Sequence, residues 1–150
     1  MEDKHKQFAK RWFDYSKRSS DYMEFLCHYV CLEVLTKSKV NDIKFILEQL
    51  DLNIHAAILK NCSNQVDFFK TRIIHNAYHN ARVRSTLEYA KTLNNPKKRD
   101  MDKIMAMLDI CKIVRGNIIH GHKEFDNPDD RNITTAGNIF FRSLFHHIFR

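Results

Sequence analysis

Turn-forming residues are scarce in this sequence: three glycines and two prolines occur in 150 residues. A many-stranded sandwich or barrel needs more turns than these residues provide. A hydrophobic fraction of 43% excludes intrinsic disorder, and no apolar run approaches the roughly 20 residues of a membrane span. The opening Met-Glu-Asp-Lys-His-Lys does not resemble a secretory signal. We therefore expect a soluble, cytoplasmic, all-α protein.

Apolar residues recur at helical spacing along most of the chain. The spacing predicts helices at about 4–17, 21–37, 41–50, 65–93, 101–120 and 129–148, with a short helical stretch at 53–59. In the first of these, Phe8, Trp12 and Tyr15 share one face. The polar, proline-containing segment 94–100 is the best candidate for a loop, and Gly121 suits the end of a helix. This pattern predicts one domain over residues 1–150, a bundle of about five to six helices.

Four cysteines are too few for a disulfide scaffold at this length. Two of them lie four residues apart in an apolar helical stretch, which is typical of reduced thiols in a helical core. An alternative joins one of that pair to two histidines as zinc ligands, although the short-spaced pairs of structural zinc sites are missing. The residues concerned are Cys27, Cys31, Cys62, Cys111, His75 and His79. We expect no metal site and no cofactor.

Positive charge is concentrated in one part of the chain. Residues 60–99 carry nine Lys and Arg against two acids, a surplus that equals the net charge of +7 of the whole protein. A basic stretch of this kind is typical of a surface that faces phosphates. The alternative is a helix face that is merely solvated. The RNA-binding candidates are Arg82, Arg84, Lys97, Lys98 and Arg99.

One short motif carries candidate chemistry. Residues 114–123 read Val-Arg-Gly-Asn-Ile-Ile-His-Gly-His-Lys. This string resembles the HEPN superfamily (higher eukaryotes and prokaryotes nucleotide-binding domain), small helical bundles marked by an arginine, four to six residues, and then a histidine. Arg115 and His120 give the four-residue version, and Asn117 with Gly121 matches the Arg-x-Asn-φ-φ-His-Gly form. Gly116 stands where the family often has a polar residue.

The resemblance implies a metal-independent endoribonuclease whose active site lies at a homodimer interface, with the motif near the end of the penultimate helix. Arg115, Asn117 and His120 would be the catalytic residues, and His122 and Lys123 would contact phosphates. Many relatives are toxins or phage-defence components. The expected partners are therefore RNA, a second copy of the chain and an antitoxin or regulatory protein, without a membrane.

The chemistry of the two motif residues agrees with this reading. A guanidinium stays charged and fits a phosphate, whereas a histidine gives or takes a proton near neutral pH. Residues five apart on a helix lie about 140° apart around its axis, so one copy makes a poor site. Two copies that face each other across a twofold axis can combine both pairs in one cleft.

Two alternative functions stay open, and so does the role of Gly116. The protein could be a non-catalytic HEPN-type module that binds a nucleotide, RNA or a partner, or a purely structural helical adaptor. Arg115 and His120 would then be a surface arginine and a helix-end histidine bonded to carbonyls. For Gly116, one interpretation is a close contact between helices, in this chain or with a second copy. The other is room for a phosphate near the backbone.

Overall fold

The computed structural model describes residues 4–36, 40–77, 81–119 and 128–150. These residues form eight helices and no strands, which confirms the all-α class and corrects the predicted number of five to six. The helices are α1 (Lys4–Ser16), α2 (Asp21–Leu35), α3 (Val40–Glu48), α4 (Leu52–Asn61), α5 (Ser63–Thr71), α6 (Leu87–Asn94), α7 (Asp100–Ile119) and α8 (Pro128–Ile148).

The core lies where α2, α4, α5 and α7 pack around α8. Helix α8 buries Phe140, Phe141 and Phe145, and the rings of Phe141 and Phe145 stack with their centroids 5.5 Å apart. Such aromatic side chains bury large apolar areas and dominate core energetics. The apolar stripes predicted for the last two helices are confirmed. Their buried members are Met101, Ile104, Met107, Leu108, Cys111, Val114, Ile133, Phe140, Leu144 and Ile148.

A polar cluster lies between α2 and α8, with Glu24 and His28 buried and Arg142 exposed. Arg142 donates two hydrogen bonds to the buried Glu24 carboxylate, at 2.6 and 2.5 Å. The fully buried His28 lies with Nδ1 3.0 Å from the amide oxygen of Asn138, whose Nδ2 donates to the carbonyl of Asp21. Because burial disfavours the imidazolium, it lowers the pKa of His28 to about 4. His28 is therefore a neutral structural residue that donates from Nδ1.

Helix α1 turns a different face to the core from the one its aromatic spacing suggests. Ala9, Phe13 and Ser16 are buried, and the Phe13 ring lies 5.5 Å from that of Phe145. The predicted face is exposed instead, with Phe8 at 49%, Trp12 at 40% and Tyr15 at 56%. Aromatic residues occupy both sides of α1, so their spacing alone does not identify the inward side.

The predicted long helix over 65–93 is wrong. Helix α5 ends at Thr71 and α6 begins at Leu87, and the described residues between them are irregular, with several bends and an isolated antiparallel bridge from His75 to Ser85. We call residues 72–86, of which 78–80 are not described, the connecting segment. Residues 73–80 read Ile-Ile-His-Asn-Ala-Tyr-His-Asn, and all but the alanine have low helix propensity.

Hydrogen bonds give the connecting segment an alternative to helix. Thr86 binds Ile74 twice: its hydroxyl accepts from the Ile74 amide at 2.9 Å, and its own amide donates to the Ile74 carbonyl at 3.0 Å. The Asn76 amide donates to the carbonyl of Arg84 at 2.8 Å. Ile74 and Thr86 are buried. Tertiary burial and these bonds therefore replace the backbone bonds that a continuous helix would have made.

All four cysteines are buried free thiols. Burial raises the pKa of Cys62 to about 11 and also raises the pKa of Cys27, Cys31 and Cys111. The prediction of reduced core thiols is confirmed. Within the described residues no three His, Cys, Asp or Glu side chains cluster as metal ligands, and His79 of the zinc alternative lies outside those residues. Among the helices described, none is long and apolar enough to cross a bilayer.

Candidate functional site

Arg115 lies in the last two turns of α7 and is held against α2. Its guanidinium carbon is 5.0 Å from the centroid of the Tyr29 ring, a cation–π contact, and Nη2 is 3.3 Å from Oε1 of Glu33. Tyr29 is buried, and burial raises the pKa of its hydroxyl. The Arg115 side chain remains 36% exposed. Its charge is therefore oriented by α2 and still accessible to a ligand.

The Asn117 side chain is hydrogen-bonded to the connecting segment. Its Oδ1 accepts a hydrogen bond from the Ala77 amide at 2.9 Å, and its Nδ2 donates to the His75 carbonyl at 3.0 Å. The side chain is buried. The amide group therefore ties the connecting segment to α7, and both of its ends are engaged with backbone.

A cleft of about 420 Å³ opens beside Arg115, between α7, α6 and the connecting segment. Arg82, Lys112 and Arg115 line it, and each is at least partly exposed. Pockets that bind small ligands have volumes of roughly 300 Å³ and upward. The cleft thus joins the motif arginine to the basic region predicted from charge, and we call it the Arg115 cleft.

Gly116 also lines the Arg115 cleft. A Cβ built at this position meets no heavy atom within 4 Å. No close helix contact within the described chain therefore requires the glycine. Its lack of a side chain leaves space open at the cleft, which is the condition for a phosphate near the backbone. Contact with a second copy stays a prediction.

Other residues that line the Arg115 cleft are not basic. Tyr89 and Ile113 provide an aromatic and an aliphatic surface, and Asp109 is half-buried. Burial raises the pKa of Asp109, and the nearby Lys112 opposes that shift. Burial and, to a smaller degree, Asp109 raise the pKa of the Tyr89 hydroxyl. The lining of the cleft therefore combines cations with an aromatic ring, an aliphatic side chain and a carboxyl group.

The predicted basic region is divided in the structure. Four of its nine cations pair with acids: Lys70 with Asp67, Arg72 with Asp129, Lys91 with Glu88, and Arg99 with Asp102. Lys97, Lys98 and Arg99 precede α7, 15 or more residues before Arg115, which is at least about 22 Å along the helix axis. Arg82 and Arg84 lie in the connecting segment, exposed and without an acidic partner in the described residues.

Other predicted site residues fall outside the described residues: His120, Gly121, His122 and Lys123. Their approach to Arg115 therefore stays a prediction. The structure adds four residues that the sequence argument did not select for a site, which are Glu33, Tyr89, Asp109 and Lys112. The sequence contained a signal for three of these four residues. Glu33 is a charge in the apolar stripe of α2, and Asp109 and Lys112 share a helical face with Gly116.

The chain matches no protein-family model, no curated protein and no solved structure. The Arg115 cleft and the motif beside it are therefore the basis for a functional proposal.

Proposed function

We propose that the protein is a metal-independent endoribonuclease whose active site forms between two copies of the chain. The observation that carries this proposal is the position of Arg115, oriented by Tyr29 and Glu33 in a cleft that Arg82 and Lys112 also line. A phosphodiester is the ligand that such clustered donors suit. The part of His120 rests on the resemblance of residues 114–123 to the HEPN superfamily.

The reaction uses the substrate's own 2′-hydroxyl as nucleophile. One His120 accepts the proton of that hydroxyl while its oxygen bonds to phosphorus and the bond to the 5′-oxygen breaks. The His120 of the second copy donates a proton to the departing 5′-oxygen. Arg115 leaves Glu33 for the phosphate and stabilises the charge that develops there. The products are a 2′,3′-cyclic phosphate and a 5′-hydroxyl end.

The first experiment measures cleavage of a labelled RNA in EDTA. We expect wild type to cut, and Arg115→Ala and His120→Ala to lose cleavage. Arg115→Lys is also poor, because an ammonium does not reproduce a planar two-pronged contact. Arg18→Ala and His146→Ala, on exposed residues of the same types, are the controls and retain activity.

The second experiment places one 2′-deoxy nucleotide at the cleaved position. Cleavage there stops if the 2′-hydroxyl is the nucleophile. Efficient cutting of that substrate, or a strict requirement for magnesium, contradicts the mechanism. Toxicity of the expressed wild-type protein, together with RNA degradation that Arg115→Ala prevents, would support a role as a toxin or in phage defence.

A non-catalytic RNA- or nucleotide-binding module is the second candidate. The observation that favours it is the engagement of Asn117 with the connecting segment, which removes the third polar group of the motif from chemistry. This candidate predicts binding without cleavage. Its affinity falls steeply with salt as counterions are released. Arg82→Glu with Arg84→Glu weakens binding to unrelated RNAs about equally, and Lys4→Glu with Lys44→Glu is the control for charge alone.

A further inference from the structure

The Arg115 cleft has features that phosphate binding does not require. Asp109 lines it together with Tyr89 and Ile113, and the other charged groups that line it among the described residues are the cations Arg82, Lys112 and Arg115. A carboxylate in an anion site repels the ligand. Asp109 therefore suits another part of a nucleotide whose phosphate is held by the cations.

Asp109 has no hydrogen bond or ion pair within the described residues, although it is half-buried. A carboxylate in such a position loses hydration without gaining a protein donor, which costs free energy. Perturbed carboxyl groups in clefts are frequent at functional sites. The Asp109 oxygens thus lie at the wall of the cleft without a hydrogen-bond donor among the described residues, and Lys112 is a nearby cation.

The spacing suits one nucleotide. Asp109 lies six residues before Arg115, about 9 Å along the axis of α7 and about 120° around it, and both side chains line the same cleft. Gly116 keeps the space beside Arg115 open. Tyr89 offers a ring to the face of a base, and aromatic rings are the usual stacking surface for unpaired bases.

We propose that the Arg115 cleft binds the guanine nucleotide adjacent to the cleaved phosphate, with Asp109 as the residue that selects the base; this inference rests on the proposed ribonuclease function. Guanine presents two neighbouring donors, N1–H and N2–H, which the two oxygens of a carboxylate accept together. Adenine and cytosine each present one amino group beside a ring nitrogen that accepts, and uracil presents one N–H between two carbonyls. A carboxylate is therefore complementary to guanine alone.

The test is calorimetric binding of guanosine 3′-monophosphate and of the corresponding adenosine, cytidine and uridine nucleotides to the whole protein. We expect wild type to bind the guanosine nucleotide about tenfold more tightly than the others, the value of one good bidentate contact. Asp109→Asn removes this preference and leaves the weak binding common to all four. Glu88→Gln, an exposed acid one residue before Tyr89, is the matched control and retains the preference.

Equal affinity of wild type for the four nucleotides overturns the inference, and so does an undiminished preference in a folded Asp109→Asn variant. The comparison in wild type decides the question even if Asp109→Asn does not fold. Binding is measured without cleavage, so the two proposals fail separately. Guanine preference with no RNA cleavage leaves the nucleotide site standing, whereas cleavage without base preference contradicts this inference alone.

Discussion

The buried side chain of Asn117 holds the connecting segment, which forms part of the wall of the Arg115 cleft. Its two hydrogen bonds link α7 to residues 75–77 of the connecting segment. We expect Asn117→Ala to lower the free energy of unfolding by about 2 kcal/mol, because two part-buried hydrogen bonds to the backbone of Ala77 and His75 are lost. Urea denaturation measures this, and hydrogen exchange of the Ala77 amide accelerates. Asn53→Ala, at an exposed site on α4, is the control. Unchanged stability with lost cleavage would instead assign Asn117 to the reaction.

His28 makes the stability of the fold depend on pH. Its pKa is about 4 in the folded protein and about 6.5 in the unfolded chain. Burial lowers the pKa most, the Asn138 hydrogen bond and Glu24 oppose the shift, and Arg142 adds to it. Between these two pKa values the unfolded chain binds the extra proton, so stability falls as the pH falls from about 6.5 to 4.

The loss attributable to His28 amounts to roughly 3 kcal/mol across that window. Denaturation of wild type and His28→Gln at a series of pH values measures it. The variant lacks the ionisation, so its curve is flatter by this amount. Parallel curves would show that His28 does not carry the dependence.

At the scale of a helix, two glycines with opposite surroundings make a matched pair. At Gly116 in α7 an added Cβ meets nothing within 4 Å, whereas at Gly137 in α8 it lies 2.6 Å from Cε2 of the buried Phe25. Gly116→Ala should therefore stabilise the protein by about 1 kcal/mol, because alanine is the better helix former. Gly137→Ala should destabilise it by roughly 1–3 kcal/mol through overpacking.

Thermal unfolding of the two glycine variants gives the sign of each change in stability directly. A destabilised Gly116→Ala would show that a contact beyond the described residues, such as one with a second copy, fills the space at α7. If the variant is more stable but binds nucleotides more weakly, the open space serves the ligand.

The helices could be predicted where their stripes point to one core. The predicted stripe residues of α7 and α8 are buried except Ile118, which is half-buried. Helix α7 also buries Ala106, Ile110 and Ile113, so it is enclosed on several sides. The connecting segment could not be predicted in the same way, because Ile73, Ala77 and Leu87 continue the helical spacing across it. What ends the helix is tertiary: the pairing of Ile74 with Thr86 and the anchoring by Asn117. These contacts span 12 and 40 residues, beyond the reach of local periodicity.

The same distinction holds for the candidate site. Arg115 and Gly116 could be predicted from a local motif, and Arg82 could be predicted from the local surplus of positive charge. Their meeting at one cleft was not predictable, because it depends on how the connecting segment folds back on α7. Glu33 and Tyr29 reach Arg115 across two helices that lie about 80 residues apart in the chain.

At the scale of the whole molecule, Trp12 is a built-in probe of the dimer interface. It is the single tryptophan and is 40% exposed on α1, whereas the proposed interface is formed by residues 114–122. We expect light scattering to give a dimer, and the emission of Trp12 to stay red-shifted and open to iodide quenching as the protein associates. A blue shift that follows dimer formation would place the interface on α1. A monomer both with and without RNA would contradict the dimer.

The four buried thiols allow opening of the core to be measured by chemical labelling. Cys31, Cys62 and Cys111 are fully buried, and burial raises the pKa of each thiol, whereas Cys27 lines a surface pocket beside Trp12 and Tyr15. A thiol reagent therefore modifies the three fully buried thiols only as fast as the structure opens around each site. Cys31, Cys62 and Cys111 lie on α2, after α4 and on α7, so their separate labelling rates distinguish the opening of one helix from cooperative unfolding of the whole bundle. The rates at which these native cysteines are labelled therefore measure the opening of the structure, and no engineered label is needed.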